Sequence, residues 1–167
     1  MTSSSAGAGR LDWLEALAEG DDVFTARFGI AVEPDWAGFP EAIPFAVAGA
    51  RERSQDPWGS QLFFDVADGA LIGFGGFKGA PRDGDAEVGY AVAPARQGRG
   101  IATAVVEILL ERAVAAGVAI VSAHTLGAEN PSTAVLRKCG FQRVAELDDP
   151  ELGPIWRWEL PLDATTA

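Results

Sequence analysis

Cysteine, histidine, tyrosine and methionine each occur once in this chain, and each scarcity closes a class of function. A lone Cys139 cannot form an internal disulfide framework, and Cys139 with His124 cannot assemble a His/Cys zinc centre. Nothing in the pattern calls for a carboxylate-only metal site. Apolar runs are broken by charge or glycine well short of the ~18 residues of a membrane span. The opening "MTSSSAGAGR" has neither a basic start nor an apolar centre, so it reads as a disordered lead-in over residues 1–10 rather than a secretory signal. Cytoplasm is the default location. Cations are scarce too: 13 Lys and Arg stand against 24 Asp and Glu, for a net charge of −11. That balance argues against general nucleic-acid binding, which sets cations against phosphates. It fits a solvated acidic surface, or a rim that attracts a cationic substrate.

Apolar residues make up 48% of the 167, enough for a substantial core, and residues 11–167 are expected to form one domain. "LDWLEALAEGDD" puts Leu11, Leu14, Leu17 and Ala18 on one helical face and stops at Gly20, and a second helix is expected over residues 21–28. Residues 29–40 read as an irregular loop. Residues 41–53 read as a helix with Pro44 in its first turn. From Gln61 the period changes to that of strands, expected at 61–67, 70–78 and 86–93. Asp68-Gly69 is expected to make a tight hairpin with positive φ at both residues, and "PRDGD" to make the next turn. A helix over 100–116, an apolar strand at 118–126, a helix capped by Asn130 and stopped by Gly140, and two closing strands complete the order β-β-β-α-β-α-β-β. The fold class is therefore α/β with a mixed sheet. Trp156 and Trp158 alternate with charged residues on the last strand, which is expected to pair at a sheet edge and leaves a homodimer open.

The stretch "AVAPARQGRGIATAVVEILLERAV", residues 91–114, changes character halfway, from a bare turn with Arg96 and Arg99 to a helix. Backbone N–H groups at such a helix start lack intrahelical partners, carry partial positive charge and suit a polyphosphate, especially where glycine admits close approach. A Walker loop requires G-x-x-x-x-G-K-[ST], and neither "GRGIAT" nor "GFGGFKGA" has it. A dinucleotide fingerprint requires a small sixth residue and a following acidic one, and finds Thr103 and His124 instead.

Gln97, Gly100 and Ala102 satisfy [QR]-x-x-G-x-[GA]. With "GYAVAP" before it and "VLRKCGF" after it, the chain from Gln61 to Leu160 resembles the GNAT family of N-acetyltransferases. The resemblance implies a central mixed sheet in which antiparallel strands are followed by a splayed parallel pair, flanked by helices. It implies acetyl-CoA as co-substrate, without a metal. Backbone groups of Tyr90, Ala91 and Val92 would hold pantetheine; Gln97, Gly98, Arg99, Gly100, Ile101, Ala102 and Thr103 would hold pyrophosphate. Asn130 would touch the same arm, or would serve as a plain helix cap.

The implied reaction is direct attack of a primary amine on the thioester, which needs a proton acceptor and an oxyanion donor. By the resemblance Glu87 is the base, or else a charge on a wet strand face, and the Val92 N–H receives the oxyanion. His124 would relay protons or be structural. The family's tyrosine on the last helix has no counterpart, since the matching positions hold Leu136 or Arg137, and Ser132 is the alternative proton donor. Trp13, Trp36 and Trp58 line the acceptor site or serve as packing. The amine acceptor, a small molecule or a protein amino terminus, is not specified. A non-catalytic acyl-CoA sensor on the same fold is the rival reading.

Overall fold

A computed structural model of the chain describes residues 4–8, 11–37, 42–52 and 58–162. In chain order the elements are β1 (Ser4–Ala8), α1 (Leu11–Glu19), α2 (Asp21–Phe28), α3 (Ala42–Glu52), β2 (Ser60–Asp65), β3 (Leu71–Phe77), β4 (Asp85–Val92), a single 3-10 turn (Pro94–Arg96), α4 (Ile101–Ala115), β5 (Ile120–Leu126), α5 (Pro131–Lys138), β6 (Gln142–Asp149) and β7 (Gly153–Pro161). The strands join in the order β1-β2-β3-β4-β5-β7-β6. β1 to β3 are antiparallel, β4 and β5 are parallel, and β7 is antiparallel to both β5 and β6. This is the mixed α/β architecture expected from the pattern.

Three local expectations are corrected. Within the expected lead-in of residues 1–10, Ser4–Ala8 form a strand against β2, while residues 1–3 and 9–10 lie outside the described residues. β7 is not at an edge, because β5 and β6 take both its sides; β6 is the edge strand, and it is mostly exposed. At Asp68-Gly69 only Gly69 has positive φ, at 74°, and the loop closes through Gly69 N–H to the Asp65 carbonyl. The turn with both central residues at positive φ is Asp83-Gly84, at 51° and 80°, closed by bonds in both directions between Arg82 and Asp85. Asp tolerates that region better than most residues. Glu41 and Arg53 of the expected third helix, and residues 38–40 of the loop before it, lie outside the described residues.

The chain divides into two compact units, Met1–Gly76 with Tyr90–Val105, and Phe77–Gly89 with Val106–Ala167. The first buries Leu14, Ala16, Leu17, Phe24, Trp36, Leu62, Leu71 and Phe74 in one cluster, each large side chain contributing roughly 1.5–3 kcal/mol. Ala16, rather than the expected Ala18, is the buried small residue of α1. Trp13 presents edge-to-face contacts to Phe24, Phe28 and Phe64, which pack it against this cluster. α2 ends on Gly29 at φ 69°, whose N–H bonds the Thr25 carbonyl.

The second unit buries Val106, Leu109, Ala113, Val121, Ala123, Leu136, Phe141 and Trp158. The Trp158 indole N–H reaches the Thr125 hydroxyl at 2.9 Å, which satisfies the one polar atom of a ring that is otherwise buried. In this unit β4 pairs with β5 from Asp85–Ile120 to Val88–Ala123, and β5 with β7 from Ile120–Pro161 to Leu126–Ile155. Because side chains alternate along strands, this register sets Asp85 and Glu87, Ser122 and His124, and Arg157 and Glu159 on one face.

Candidate active site

The parallel register between β4 and β5 covers residues 85–88 and 120–123 only, although β4 continues to Val92. Two bonds fix which way the rest of β4 points. The Lys78 N–H donates to the Glu87 carbonyl, and the Ala93 N–H donates to the Ile72 carbonyl. Odd-numbered residues of β4 therefore turn their amides toward β3, and the backbone of Tyr90 and Val92 turns the other way. Val92 is buried, and its carbonyl accepts a 3.0 Å bond from the Gln97 side chain. Gln97 thus acts first as a hook that folds the loop back onto the strand end.

After Gln97 the chain passes through Gly98 and Gly100, both at φ 79°, a conformation costly for residues with a Cβ. A Cβ built at either position would meet nothing within 4 Å, so both glycines border open space. Gly100 accepts the first bond of α4, from the Ala104 N–H at 3.0 Å. The amides of Ile101, Ala102 and Thr103 then form the helix start, where no intrahelical carbonyl precedes them. Ile101 is buried and anchors this turn, while Arg99 is exposed between the two glycines.

Arg96 corrects the expectation that two arginines charge this turn. Its guanidinium donates to Glu33 through Nε and Nη2, to Asp65 at 2.7 Å and to Asp68 at 2.8 Å, and its side chain is only 13% exposed. The hydrogen bonds to Asp68 and Glu33 push its basicity above the ordinary arginine range. It staples the turn to the β2–β3 hairpin instead of facing a ligand. Sequence reasoning missed this because its three partners lie 28 to 63 positions away.

The second unit holds the titratable cluster. One carboxylate oxygen of Glu87 receives the Lys78 ammonium at 2.7 Å and lies 3.0 Å from Nδ1 of His124. Glu87 and His124, predicted separately, are thus brought together; Lys78 was not singled out. Burial raises the Glu87 carboxyl most, but the hydrogen bonds and charges of Lys78 and His124 outweigh it and hold the group below the usual glutamate range. Beside it, Asp85 accepts from Ser122 at 2.8 Å and from Arg157 at 2.7 Å.

On α5 the Asn130 side chain accepts from the Thr133 N–H and donates to the Ala128 carbonyl, while the Thr133 hydroxyl receives the Asn130 N–H in a reciprocal capping box. Both polar ends of Asn130 therefore serve the helix start. Ser132 is half-buried in the first turn. Leu136 is fully buried, and Arg137 is paired with Glu129, which pushes its basicity up. Neither can protonate a thiolate. Burial likewise pushes the Cys139 thiol up, away from nucleophilic thiolate character.

The first unit also contains a hollow of about 450 Å³ lined by Leu17, Asp21, Asp35, Trp36 and Ile43 among others. Trp36 is 2% exposed, and its indole N–H donates to Asp21 at 3.0 Å.

Among known proteins, the model of a family described as acetyltransferase (GNAT) matches residues 25–141. No curated protein sequence matches the chain. Among solved structures, the ribosomal-protein-S5-alanine acetyltransferase of Vibrio fischeri superposes with TM-score 0.72 at 16% identity, over 96% of this chain and 94% of that one. A phosphinothricin acetyltransferase of Sinorhizobium meliloti in complex with AcCoA gives 0.68 at 19% identity, over 95% and 88%. A spermidine/spermine N-acetyltransferase of Vibrio cholerae gives 0.58 at 19%, over 72% and 75%.

Proposed function

Since the chain belongs to the GNAT family of acetyltransferases, we propose that it transfers an acetyl group from acetyl-CoA directly to a primary amine, residues 11–167 acting as one catalytic domain. The observation that carries this reading is the loop at the start of α4, with Gly98 and Gly100 at positive φ and bordering open space. The amides of residues 98–103 would hold the diphosphate, with Arg99 adding its charge. Backbone groups of Tyr90, Ala91 and Val92 would hold the pantetheine arm, with the Val92 N–H on the side of β4 turned away from β3. Acetyl-CoA supplies the activated acyl group; the chain supplies position, proton transfer and charge stabilisation.

Glu87 is the proton acceptor in this reading. Most alkyl amines arrive protonated at neutral pH, and the carboxylate first attracts the ammonium and then takes its proton. His124, 3.0 Å from the same carboxylate, gives that proton a path onward. Ser132, half-buried in the first turn of α5, is the proton donor to the departing sulfur in this reading. Asn130 is assigned to the helix cap in preference to CoA contact, because its side chain is engaged in both directions there. The acceptor class is a cationic amine, supported by the acidity of the chain and by the carboxylates Asp21 and Asp35 beside Trp36 in the hollow. No helix among the described residues is long and apolar enough to cross a membrane.

Binding and turnover test this together. Calorimetry with acetyl-CoA is expected to give a saturable isotherm that Gly100→Trp abolishes, and an amine panel is expected to release free thiol in an amine-dependent way. Retention of binding by folded Gly100→Trp contradicts the loop assignment. The buried Leu136 and paired Arg137 at the tyrosine positions favour the rival reading of an acyl-CoA sensor. Binding without thiol release from any amine decides for it.

A further inference from the structure

We propose that Lys78 is itself an acetyl acceptor, so that the protein modifies its own chain beside Glu87 when acetyl-CoA is bound; this rests on the transferase reading above.

Lysine is rare here. The sequence contains two, Lys78 and Lys138, beside eleven arginines. Arginine keeps its proton throughout the accessible pH range and is no acyl acceptor under such conditions. Of the two lysines, Lys78 places its Nζ 2.7 Å from the Glu87 carboxylate. A general base must lie within about 2.6–3.2 Å of the atom whose proton it removes, and the Lys78 amine meets that condition toward the carboxylate assigned to acceptor amines. The lysine stem is accommodated by a second feature of the same strand. A Cβ at Gly89 would stand 3.0 Å from Cε of Lys78, so the missing side chain at Gly89 leaves the path for the stem along β4. The Lys78 side chain is 56% exposed, which leaves it reachable by a thioester and free to turn. His124, on the same Glu87 oxygen, provides the exit for a proton.

The step balances without a further reagent. The Lys78 ammonium gives one proton to Glu87, and the neutral amine attacks the thioester carbonyl. The C–N bond forms and the C–S bond breaks. The second proton from nitrogen ends on the CoA sulfur, and the first leaves Glu87 for solvent through His124. The products are acetylated Lys78 and CoA thiol, and Glu87 is left with His124 as its hydrogen-bonding partner.

The test uses the full chain and acetyl-CoA with no added amine, followed over time by intact mass and by peptide mapping of the two lysines. Lys78 is expected to be labelled at least about tenfold faster than Lys138, which stands exposed at the end of α5 and reports uncatalysed acylation. Glu87→Gln is expected to slow Lys78 to the rate of Lys138 while still binding acetyl-CoA by calorimetry. Lys78→Arg, which preserves a cation beside Glu87, is expected to remove the fast phase. Equal rates at the two lysines, or a Lys78 rate unchanged in Glu87→Gln, overturn the proposal. If amine-dependent thiol release persists alongside such a result, the transferase reading survives without it. Absence of any acetyl-CoA binding overturns both.

Discussion

Gly73 of β3 lies so close to Ala91 of β4 that a Cβ at residue 73 would stand 2.6 Å from the Ala91 carbonyl oxygen. The neighbour is backbone, so it cannot turn aside, and a second contact with Phe63 at 3.2 Å closes the other direction. Gly73→Ala is therefore expected to push the end of β4 outward. Overpacking of this kind costs roughly 1–3 kcal/mol, measurable as a lowered denaturation midpoint. The displaced segment is the one assigned to pantetheine, so acetyl-CoA affinity is expected to fall as well, by calorimetry on protein still folded.

Arg96→Ala leaves Glu33, Asp65 and Asp68 facing one another without their shared cation. Asp65 is 1% exposed, and breaking a buried pair by removing one partner typically costs about 3–5 kcal/mol. Glu33 and Asp68 are more open to water, so the expected loss is about 2–4 kcal/mol. Urea denaturation measures it, and Arg96→Ala combined with Asp65→Asn is expected to recover part of it. A variant of undiminished stability that merely binds acetyl-CoA more weakly would restore Arg96 as a phosphate ligand.

Asn130→Ala separates the two roles offered for that residue. Loss of the cap is expected to cost about 0.5–2 kcal/mol, with acetyl-CoA affinity unchanged in the folded variant. Asn130→Asp, which retains the accepting oxygen for Thr133 N–H, is expected to keep most of the stability. A large loss of affinity in both variants would instead make Asn130 a CoA contact.

For Glu87 the pH dependence follows from the direction of its shift. Its folded value lies below the ordinary 4.5, so the stability it confers is present above that pH and is lost as pH falls through the lowered value. The difference in unfolding free energy between wild type and Glu87→Gln is expected to be about 0.5 kcal/mol at neutral pH and to vanish in acid. In turnover, Glu87 is already ionised between about pH 6 and 9, so a limb in that range belongs to another group. Glu87→Gln is expected to lower kcat by about 10²–10⁴ without moving that limb, with acetyl-CoA affinity nearly unchanged. A pH–rate profile checks both; an unaltered kcat removes Glu87 from the reaction.

The helices with strong local signals were legible from sequence alone. Gly20 stops α1, and Asn130 and Gly140 bracket α5, each through chemistry confined to a few neighbours. β1 was not, because "SSAGA" has no strand periodicity of its own and becomes a strand only by pairing with β2. The turn at residues 97–103 was legible because its glycines have local conformational causes. The partners of Glu87 were less so. Extending the tight Arg82–Asp85 turn outward would set Lys78 opposite Gly89, whereas the observed bond sets it opposite Glu87. A two-residue irregularity in the hairpin thus decides which side chain meets the lysine, and no local pattern announces it.

Arg96 clamped by three acids and Gln97 bonded back to the end of β4 have one more consequence for ligand capture. Both contacts fix the start of the loop during folding, so in the proposed reading part of the conformational entropy of the amides that follow is lost before acetyl-CoA binds. If this loop holds acetyl-CoA as proposed, recognition is expected to be closer to lock-and-key than to induced fit, its affinity reporting contacts made rather than order imposed.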